Sequence, residues 1–280
     1  MEQAIYKPKG KAGEYAQYAC NFYVGCSNDC AYCYCKRGVL AHAMGGTTPT
    51  LKKCFKDEAD ALAKFRKELD ANILELRKHG LFFTFTSDPW LPETKGLTMD
   101  AVDICLSKRV PVMLLTKRAD FGLPIKWYQH MDKIALGWTL TGMDKLEAKA
   151  SSNQDRIDCM KYYHRMGFKT FASIEPVIDI KAAQDVIYAS LGHCDLYKIG
   201  LVSGKRDYSR EDVAHFVAKV NNMVQEHNFA YGEDVKTYWK DSVFEFLKID
   251  QEYRKIPTRF SWRFDWPHCV GADYNIFQAL

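Results

Sequence analysis

Residues 21 to 34 read NFYVGCSNDCAYCY, and this stretch decides how the rest of the chain is interpreted. Its three cysteines, Cys26, Cys30 and Cys33, have the spacing C-x3-C-x2-C and follow a short apolar run at residues 21–25, which predicts a strand. A tight group of thiols in an intracellular protein is typical of a metal site, because thiols stay reduced inside cells. The spacing therefore predicts a metal centre on the loop after the first strand.

The number of thiols indicates which centre this is. A [4Fe-4S] cluster needs a ligand for each of its four irons, so three cysteines leave one iron open to a further ligand. An open coordination position is what separates catalytic metal sites from structural ones. The alternatives are a zinc site completed by Cys35, Cys20 or His42, and cysteines that serve as small apolar residues. The sequence favours the cluster, because zinc sites normally use two C-x2-C pairs and no second pair is present.

Composition indicates one globular domain over residues 1–280. Hydrophobic residues make up 47% and charged residues 26% of the 280 residues, as in average globular proteins. No apolar run approaches the ~18 residues that cross a bilayer, and the first residues do not form the apolar segment of a signal peptide. We therefore expect a cytoplasmic protein without a membrane segment. The net charge of +4 allows a polyanionic substrate but does not imply one.

Strands and helices alternate along the chain. Six apolar runs predict strands, at residues 21–25, 81–86, 110–116, 134–141, 170–174 and 196–202. Amphipathic patterns predict helices at residues 56–79, 99–108, 154–166, 181–191 and 210–227, with Gly80 as a C-cap and Ser209 as an N-cap. The alternation predicts a parallel α/β sheet, either open or closed as a barrel. In both folds functional residues gather where the strands end.

At the cysteine motif the chain resembles the radical S-adenosylmethionine (SAM) superfamily, in which C-x3-C-x2-C carries an aromatic residue before the third cysteine. Further segments resemble the spore photoproduct lyase-like group, also called DNA repair photolyases. In order along the chain they are GKAGEY at 10–15, NFYVGC at 21–26, YCY at 32–34, TSDPW at 86–90, GLT at 96–98 and LTK at 115–117. The resemblance covers roughly residues 8 to 205.

The resemblance implies a partial (β/α)6 barrel of the TIM type, with a core at about 15–205 and a C-terminal extension at 206–280. It also implies a [4Fe-4S] cluster on Cys26, Cys30 and Cys33, reductive cleavage of SAM, and a 5'-deoxyadenosyl radical that abstracts a hydrogen atom. Such a radical must be shielded, so the protein's part is to bind and orient its cofactors.

The resemblance also indicates residues that bind SAM. Thr86, Ser87 and Asp88 end the second strand, where the superfamily holds the methionyl amino group, although Ser-Asp-Pro is also an ordinary turn sequence. Lys117 follows the third strand, where a cation suits the methionyl carboxylate, or it is simply solvated. Four further candidates for the nucleoside lie on later strands, namely Thr139, Thr141, Glu175 and Ser203, and Gly200 would let an adenine approach the backbone.

One position departs from the family. Spore photoproduct lyase has a cysteine just before this Ser-Asp, which returns a hydrogen atom to the thymine radical, whereas this chain has Thr86 there. An O–H bond is too strong to act as that donor. Tyr32 or Cys269 could replace it only if the fold brought them to the site.

The C-terminal stretch Arg254–Trp266 alternates cationic and aromatic residues. Aromatic rings stack on bases while cations contact phosphates, so the pattern resembles a surface for single-stranded nucleic acid. The period of two favours the alternative, an edge strand that packs its rings on the barrel. The tail could also close the open side of the barrel and line a pocket.

Together these features predict a radical SAM enzyme, lyase-like, that acts on a nucleic acid or a nucleotide. A radical enzyme for a small metabolite or peptide is the second hypothesis, and a non-enzymatic metal protein that binds nucleic acid is the third. The cofactors implied are a [4Fe-4S] cluster and SAM, and the partner implied is a reductant such as flavodoxin or ferredoxin. No residue is assigned as the hydrogen-atom donor.

Overall fold

The structure is a computed structural model that describes residues 3–38, 40–204, 206–248 and 266–278. Residues 254–265, which make up most of the C-terminal stretch of alternating cationic and aromatic residues, lie outside these ranges. Among the described residues, none of the helices has the length and hydropathy needed to cross a bilayer. The chain forms two compact units: the first comprises Met1–Gly137 and Asp144–Ser152, and the second Trp138–Met143 and Asn153–Ala279.

The described residues contain short strands and longer helices in alternation. The strands are β1 (Ile5–Tyr6), β2 (Ala19–Cys20), β3 (Tyr23–Val24), β4 (Thr50–Leu51), β5 (Leu81–Phe83), β6 (Val112–Thr116), β7 (Ile134–Thr139), β8 (Lys169–Val177), β9 (Leu196–Leu201) and β10 (Lys236–Trp239). The helices are α1 (Leu40–Met44), α2 (Glu58–Ala71), α3 (Ile73–His79), α4 (Lys95–Ser107), α5 (Asn153–Arg165), α6 (Ile180–Ser190), α7 (Arg210–Tyr231) and α8 (Asp241–Leu247). A 3-10 helix at Ile125–Lys133 precedes β7, which begins in the first unit and ends in the second.

In the first unit β2, β5 and β6 are parallel neighbours, and β1 adds antiparallel to β2. The predicted first strand at residues 21–25 is placed differently. The parallel sheet uses Ala19–Cys20, while Tyr23–Val24 pairs with Thr50–Leu51 in a separate antiparallel ribbon. Residues 18–23 are all buried, so the apolar pattern could not show which pair joins the sheet.

The long predicted helix at residues 56–79 is two helices. The side chain of Asp57 accepts a hydrogen bond from the amide of Asp60 and caps α2, which buries Ala61, Phe65 and Leu69. The break falls at Asn72, whose side-chain amide donates to the Glu68 carbonyl at 2.8 Å. Asparagine competes in this way with the helical hydrogen-bond pattern. Gly80 ends α3 with a φ of 75°, so the predicted cap is confirmed.

In the second unit β8, β9 and β10 are parallel neighbours. The sequence predicted β8 and β9 but neither β10 nor α8, because four residues of KTYW give too short a pattern. The predicted helix at 210–227 extends to Tyr231. Its N-cap is confirmed, because Ser209 and Asp212 form a reciprocal capping box.

Candidate cofactor site

The cysteine loop starts from a glycine that no other residue could replace without strain. Gly25 has a φ of +83°, and a Cβ there would lie 2.5 Å from the carbonyl oxygen of Thr48. The amide of Cys26 donates to the carbonyl of Gly46 at 2.9 Å. This close approach of two backbones fixes the point at which the loop turns.

Two further turns fold the loop on itself. The amide of Asp29 donates to the carbonyl of Cys26 at 3.3 Å, and the amide of Cys33 donates to that of Cys30 at 3.2 Å. Cys30 is buried, while Cys26 and Cys33 are half-buried. All three thiols therefore belong to one compact loop with part of its surface accessible.

The environments of the first and third thiols differ. Burial and the negative charge of Asp88 raise the pKa of Cys26 to about 12. A hydrogen bond with the Cys35 side chain, assisted by Lys117 and Lys36, lowers the pKa of Cys33 to about 6. The lowered pKa favours the thiolate of Cys33, the form that binds metals.

The described residues do not form a site for a single metal ion. No group of three or more histidine, cysteine or acidic side chains within these ranges could hold one. Of the residues considered for a zinc site, Cys20 is fully buried in β2, and His42 lies exposed on α1. Cys35 is buried, with its sulfur 4.0 Å from the carbonyl of Phe85. Thiolates that each bind a different iron of a cluster are spaced more widely than ligands of one ion, so the cluster hypothesis does not need such a group.

Asp88 accepts hydrogen bonds from residues of the cysteine loop and of the strand ends in the first unit. It is 4% exposed. Its Oδ1 accepts from the Trp90 amide at 3.0 Å and the Thr116 hydroxyl at 2.7 Å. Its Oδ2 accepts from the Asn28 side-chain amide and the Lys117 backbone amide, both at 2.8 Å. Four donors fill the roughly four acceptor positions of a carboxylate. Asp88 therefore links the cysteine loop to the end of β6.

The neighbours of Asp88 leave polar atoms without a partner. The Thr86 hydroxyl donates to the carbonyl of Tyr23 at 2.6 Å. By contrast, Ser87 Oγ and Asn28 Oδ1 are buried and have no hydrogen-bond partner. Buried polar atoms almost always have a hydrogen-bond partner, so these two acceptors are unusual and could accept a donor from a ligand.

Lys117 is half-buried rather than simply solvated. Its backbone amide bonds Asp88, and its Nζ lies 5.6 Å from the ring centroid of Tyr32, a cation–π distance. Tyr32 is the aromatic residue before Cys33. The first unit thus brings Ser87, Asp88 and Lys117 together with the cysteine loop.

A segment that sequence reasoning missed also contacts this loop. It comprises residues 144–152, which we term the clamp segment, and it belongs to the first unit. Its Leu146 carbonyl accepts from the amide of Ala31 at 2.9 Å, and its Glu147 carboxylate accepts from the hydroxyl of Tyr32. No local pattern marks these contacts, because the paired residues are 115 positions apart.

In the second unit the two candidate threonines are buried. The carbonyl of Thr139 accepts from the guanidinium of Arg156 at 2.5 Å. The amide of Thr141 donates to the side chain of Asn153 at 2.9 Å, and its hydroxyl accepts from the amide of Met143 at 3.2 Å. These contacts shape the backbone after β7.

Glu175 lies in β8 and forms an ion pair within the second unit. It pairs with Lys240, which directly follows β10; the Nζ–Oε2 distance is 2.6 Å and the lysine side chain is only 1% exposed. A Cβ on Gly200 would lie 2.8 Å from Glu175 Oε1, so this glycine makes room for the pair. Ser203 lies on the exposed loop after β9. Sequence reasoning missed Lys240 because it missed β10.

Comparison with known proteins gives a curated relative and several structural neighbours. No protein-family model matches the chain. The uncharacterized protein MJ0683 of Methanocaldococcus jannaschii is 26% identical over 172 residues, which cover 58% of this chain and 61% of that protein. The chain therefore spans about three-fifths of the length of this relative.

Solved structures match more of the chain at lower identity. A spore photoproduct lyase mutant with bound AdoMet and dinucleoside spore photoproduct has a TM-score of 0.51, with 13% identity over 76% of this chain and 61% of that one. Spore photoproduct lyase complexed with dinucleoside spore photoproduct gives 0.50, with 14% identity over 91% and 69%. Native anSMEcpe with bound AdoMet gives 0.50, with 12% identity over 78% and 62%.

These neighbours are radical SAM enzymes, and at such identities the likeness concerns the fold. It confirms the predicted α/β class with a parallel sheet. The chain therefore has the fold of the radical SAM enzymes, with spore photoproduct lyase among its structural neighbours.

Proposed function

We propose that this chain is a radical SAM enzyme in which Cys26, Cys30 and Cys33 hold a [4Fe-4S] cluster with one iron open to SAM. The observation that carries the proposal is the thiol loop bonded to Asp88, beside two buried oxygen atoms without a partner. Three thiols suit a [4Fe-4S] cluster with one open iron. Two buried acceptor atoms without a partner suit the methionyl part of SAM, which carries a hydrogen-bond donor. The chemistry supplied when both cofactors are bound is reductive cleavage of SAM and abstraction of a hydrogen atom.

The first unit provides groups for the methionyl part of SAM. The orphaned Ser87 hydroxyl is an acceptor for the ammonium group. The positive Nζ of Lys117 suits the carboxylate, and its cation–π contact with Tyr32 holds it near the cysteine loop. Asp88 adds negative charge while it holds the loop in place, since its oxygens already accept four hydrogen bonds. Thr86 supports the same turn through Tyr23.

Within the second unit we propose residues that suit a nucleoside. Lys240 occupies one oxygen of Glu175 and neutralises its charge, and the other oxygen lies next to Gly200. Carboxylate oxygens are suitable acceptors for ribose hydroxyls, so we propose Glu175 as a contact of the ribose. Gly200 keeps the backbone accessible to a flat base, while Thr139, Thr141 and Ser203 are secondary candidates on the neighbouring strand ends and loop.

For the substrate we propose a nucleic acid or a nucleotide. Two of the structural neighbours are complexes with dinucleoside spore photoproduct, which supports this class. The lyase reaction itself is not carried over, because Thr86 replaces the hydrogen-donating cysteine. We further propose a flavodoxin or ferredoxin as reductant and a cytoplasmic location, which the ten free thiols support.

The test is anaerobic reconstitution with iron and sulfide, reduction with dithionite, and measurement of 5'-deoxyadenosine after SAM is added. We expect cleavage by the wild type and by the control Cys54→Ala, whose thiol is half-buried outside the loop. We expect none from Cys26→Ala, Cys30→Ala or Cys33→Ala. A zinc-loaded wild type that never cleaves SAM would refute the proposal in favour of a structural metal protein.

A further inference from the structure

The clamp segment makes polar contacts with the cysteine loop. The amide of Ala31 donates to the Leu146 carbonyl at 2.9 Å, and the hydroxyl of Tyr32 donates to Glu147. The ammonium group of Lys149 lies 3.2 Å from the carboxylate of Asp29. One backbone bond, one side-chain bond and one ion pair therefore hold the half of the loop that contains Cys30 and Cys33.

The clamp segment is itself held by the end of β6. The amide of Ser151 donates to the Lys117 carbonyl at 3.1 Å, and the Ser151 hydroxyl accepts from the amide of Ala119 at 2.9 Å. The guanidinium of Arg118 donates to the carbonyl of Lys149 at 2.9 Å. The segment is thus fixed to the strand end that also bonds Asp88 through Lys117.

Glu147 is the least expected of these residues, because it is a carboxylate that is only 2% exposed. Burying a carboxylate is costly unless donors compensate it. The Tyr32 hydroxyl is one such donor, and Tyr32 directly precedes Cys33. Lys117 approaches the ring of the same tyrosine. The orientation of Tyr32 is therefore set from its hydroxyl and from its ring.

We propose that Glu147 is a positioning residue, which acts through Tyr32 to fix the backbone between Cys30 and Cys33 and so the geometry of the cluster. Its connection to a cluster rests on the proposed function; its effect on the loop does not. We assign Glu147 no direct role in binding SAM. It defines where the third thiol lies.

The experiment measures the loop directly. Hydrogen exchange of peptides covering residues 26–36 is followed in the full reduced chain, before and after iron and sulfide are added. Four variants are compared with the wild type: Glu147→Ala, Glu147→Gln, Tyr32→Phe, and the control Glu226→Ala at an exposed position of α7. The reconstituted proteins are then reduced, and their EPR spectra are recorded with and without SAM.

We expect Glu147→Ala and Tyr32→Phe to speed exchange in this peptide by ~10- to 100-fold, the effect of one hydrogen bond to a charged group. The double variant Glu147→Ala/Tyr32→Phe, measured as well, should exchange more slowly than the product of the two single effects predicts, because both substitutions remove the contact between Tyr32 and Glu147. Glu147→Gln retains an acceptor and should stay within ~3-fold of the wild type. The first two variants should also broaden or shift the EPR signal, and Glu226→Ala should not.

Unchanged exchange in the loop of both Glu147→Ala and Tyr32→Phe would overturn the inference. Faster exchange throughout the first unit would overturn it as well, since it would mark Glu147 as a general stability residue. If Glu147→Ala does not fold, Tyr32→Phe alone decides. A wild type that forms no cluster would refute the proposed function, and the exchange measurement on the unreconstituted chain would still test the contact.

Discussion

Replacing Asp88 by asparagine tests whether this residue holds the cysteine loop in place. The side chain keeps its size but loses its charge and one acceptor oxygen. In the structure Oδ1 accepts two hydrogen bonds and Oδ2 accepts two more. Whichever oxygen the new NH2 group replaces, it would face two hydrogen-bond donors instead of accepting from them.

The size of the effect follows from the donors that lose their acceptor. The Thr116 hydroxyl can rotate, and the Asn28 amide can turn its unpartnered oxygen toward the new NH2 group. The amides of Trp90 and Lys117 are backbone groups and cannot adapt in this way. One of them remains buried without an acceptor, at ~1–3 kcal/mol, and the charge-assisted bonds are weakened as well. We expect Asp88→Asn to lower the free energy of unfolding by about 2–4 kcal/mol.

The assay is urea denaturation of the reduced chain, followed by circular dichroism. The control is Asp185→Asn, which removes an exposed pair with Lys181 on α6 and should cost ~0.5 kcal/mol or less. Iron content after reconstitution should also fall in Asp88→Asn, because the loop loses its tie to β6. If the free energies of unfolding of Asp88→Asn and Asp185→Asn differ by less than about 1 kcal/mol, Asp88 does not hold the cysteine loop to β6 in the way that we infer.

Gly25→Ala should lower the free energy of unfolding by about 3 kcal/mol, because it adds a Cβ 2.5 Å from a carbonyl oxygen at a residue with a positive φ. Denaturant titration measures this loss. A loss of less than about 1 kcal/mol would contradict the geometry. Ser209→Ala should cost ~1 kcal/mol and Ser209→Gly less, measured in the same way, since the capping box is lost. Burial, assisted by Lys236, lowers the pKa of His268 to about 4. Its unfolded form takes up a proton below its ordinary pKa while the folded form stays neutral, so stability should fall by ~2 kcal/mol between pH 7 and pH 5. Thermal unfolding of His268→Gln should show a flatter pH dependence, and an unchanged slope would assign the effect elsewhere.

Features that depend on neighbouring residues could be predicted from the sequence. The caps at Ser209 and Gly80 follow from residue types next to an amphipathic pattern, and both are confirmed. The cysteine loop likewise follows from spacing within eight residues. The predicted strand at 21–25 contains β3, but β3 pairs in the separate ribbon, and the parallel sheet uses Ala19–Cys20; residues 18–23 are all buried, so burial could not show which pair joins the sheet.

Features that depend on distant residues could not be predicted. Lys240 matters because its Nζ lies 2.6 Å from a carboxylate 65 positions away, and Glu147 because it meets Tyr32 across 115 positions. A lysine after a short strand and a glutamate in a loop are ordinary in sequence. Only the fold shows that both are buried and paired.

The likeness to spore photoproduct lyase does not extend to the residue before Ser87. At the position before Ser87, where that lyase has its hydrogen-donating thiol, the hydroxyl of Thr86 donates to the carbonyl of Tyr23 at 2.6 Å and the residue is 8% exposed. Its proton is already engaged in holding the turn, and its O–H bond is too strong to quench a carbon radical. If, as proposed, this chain forms a substrate radical, another group or the substrate itself would have to resolve it. Assays should accordingly look for products beyond reversal of a thymine dimer.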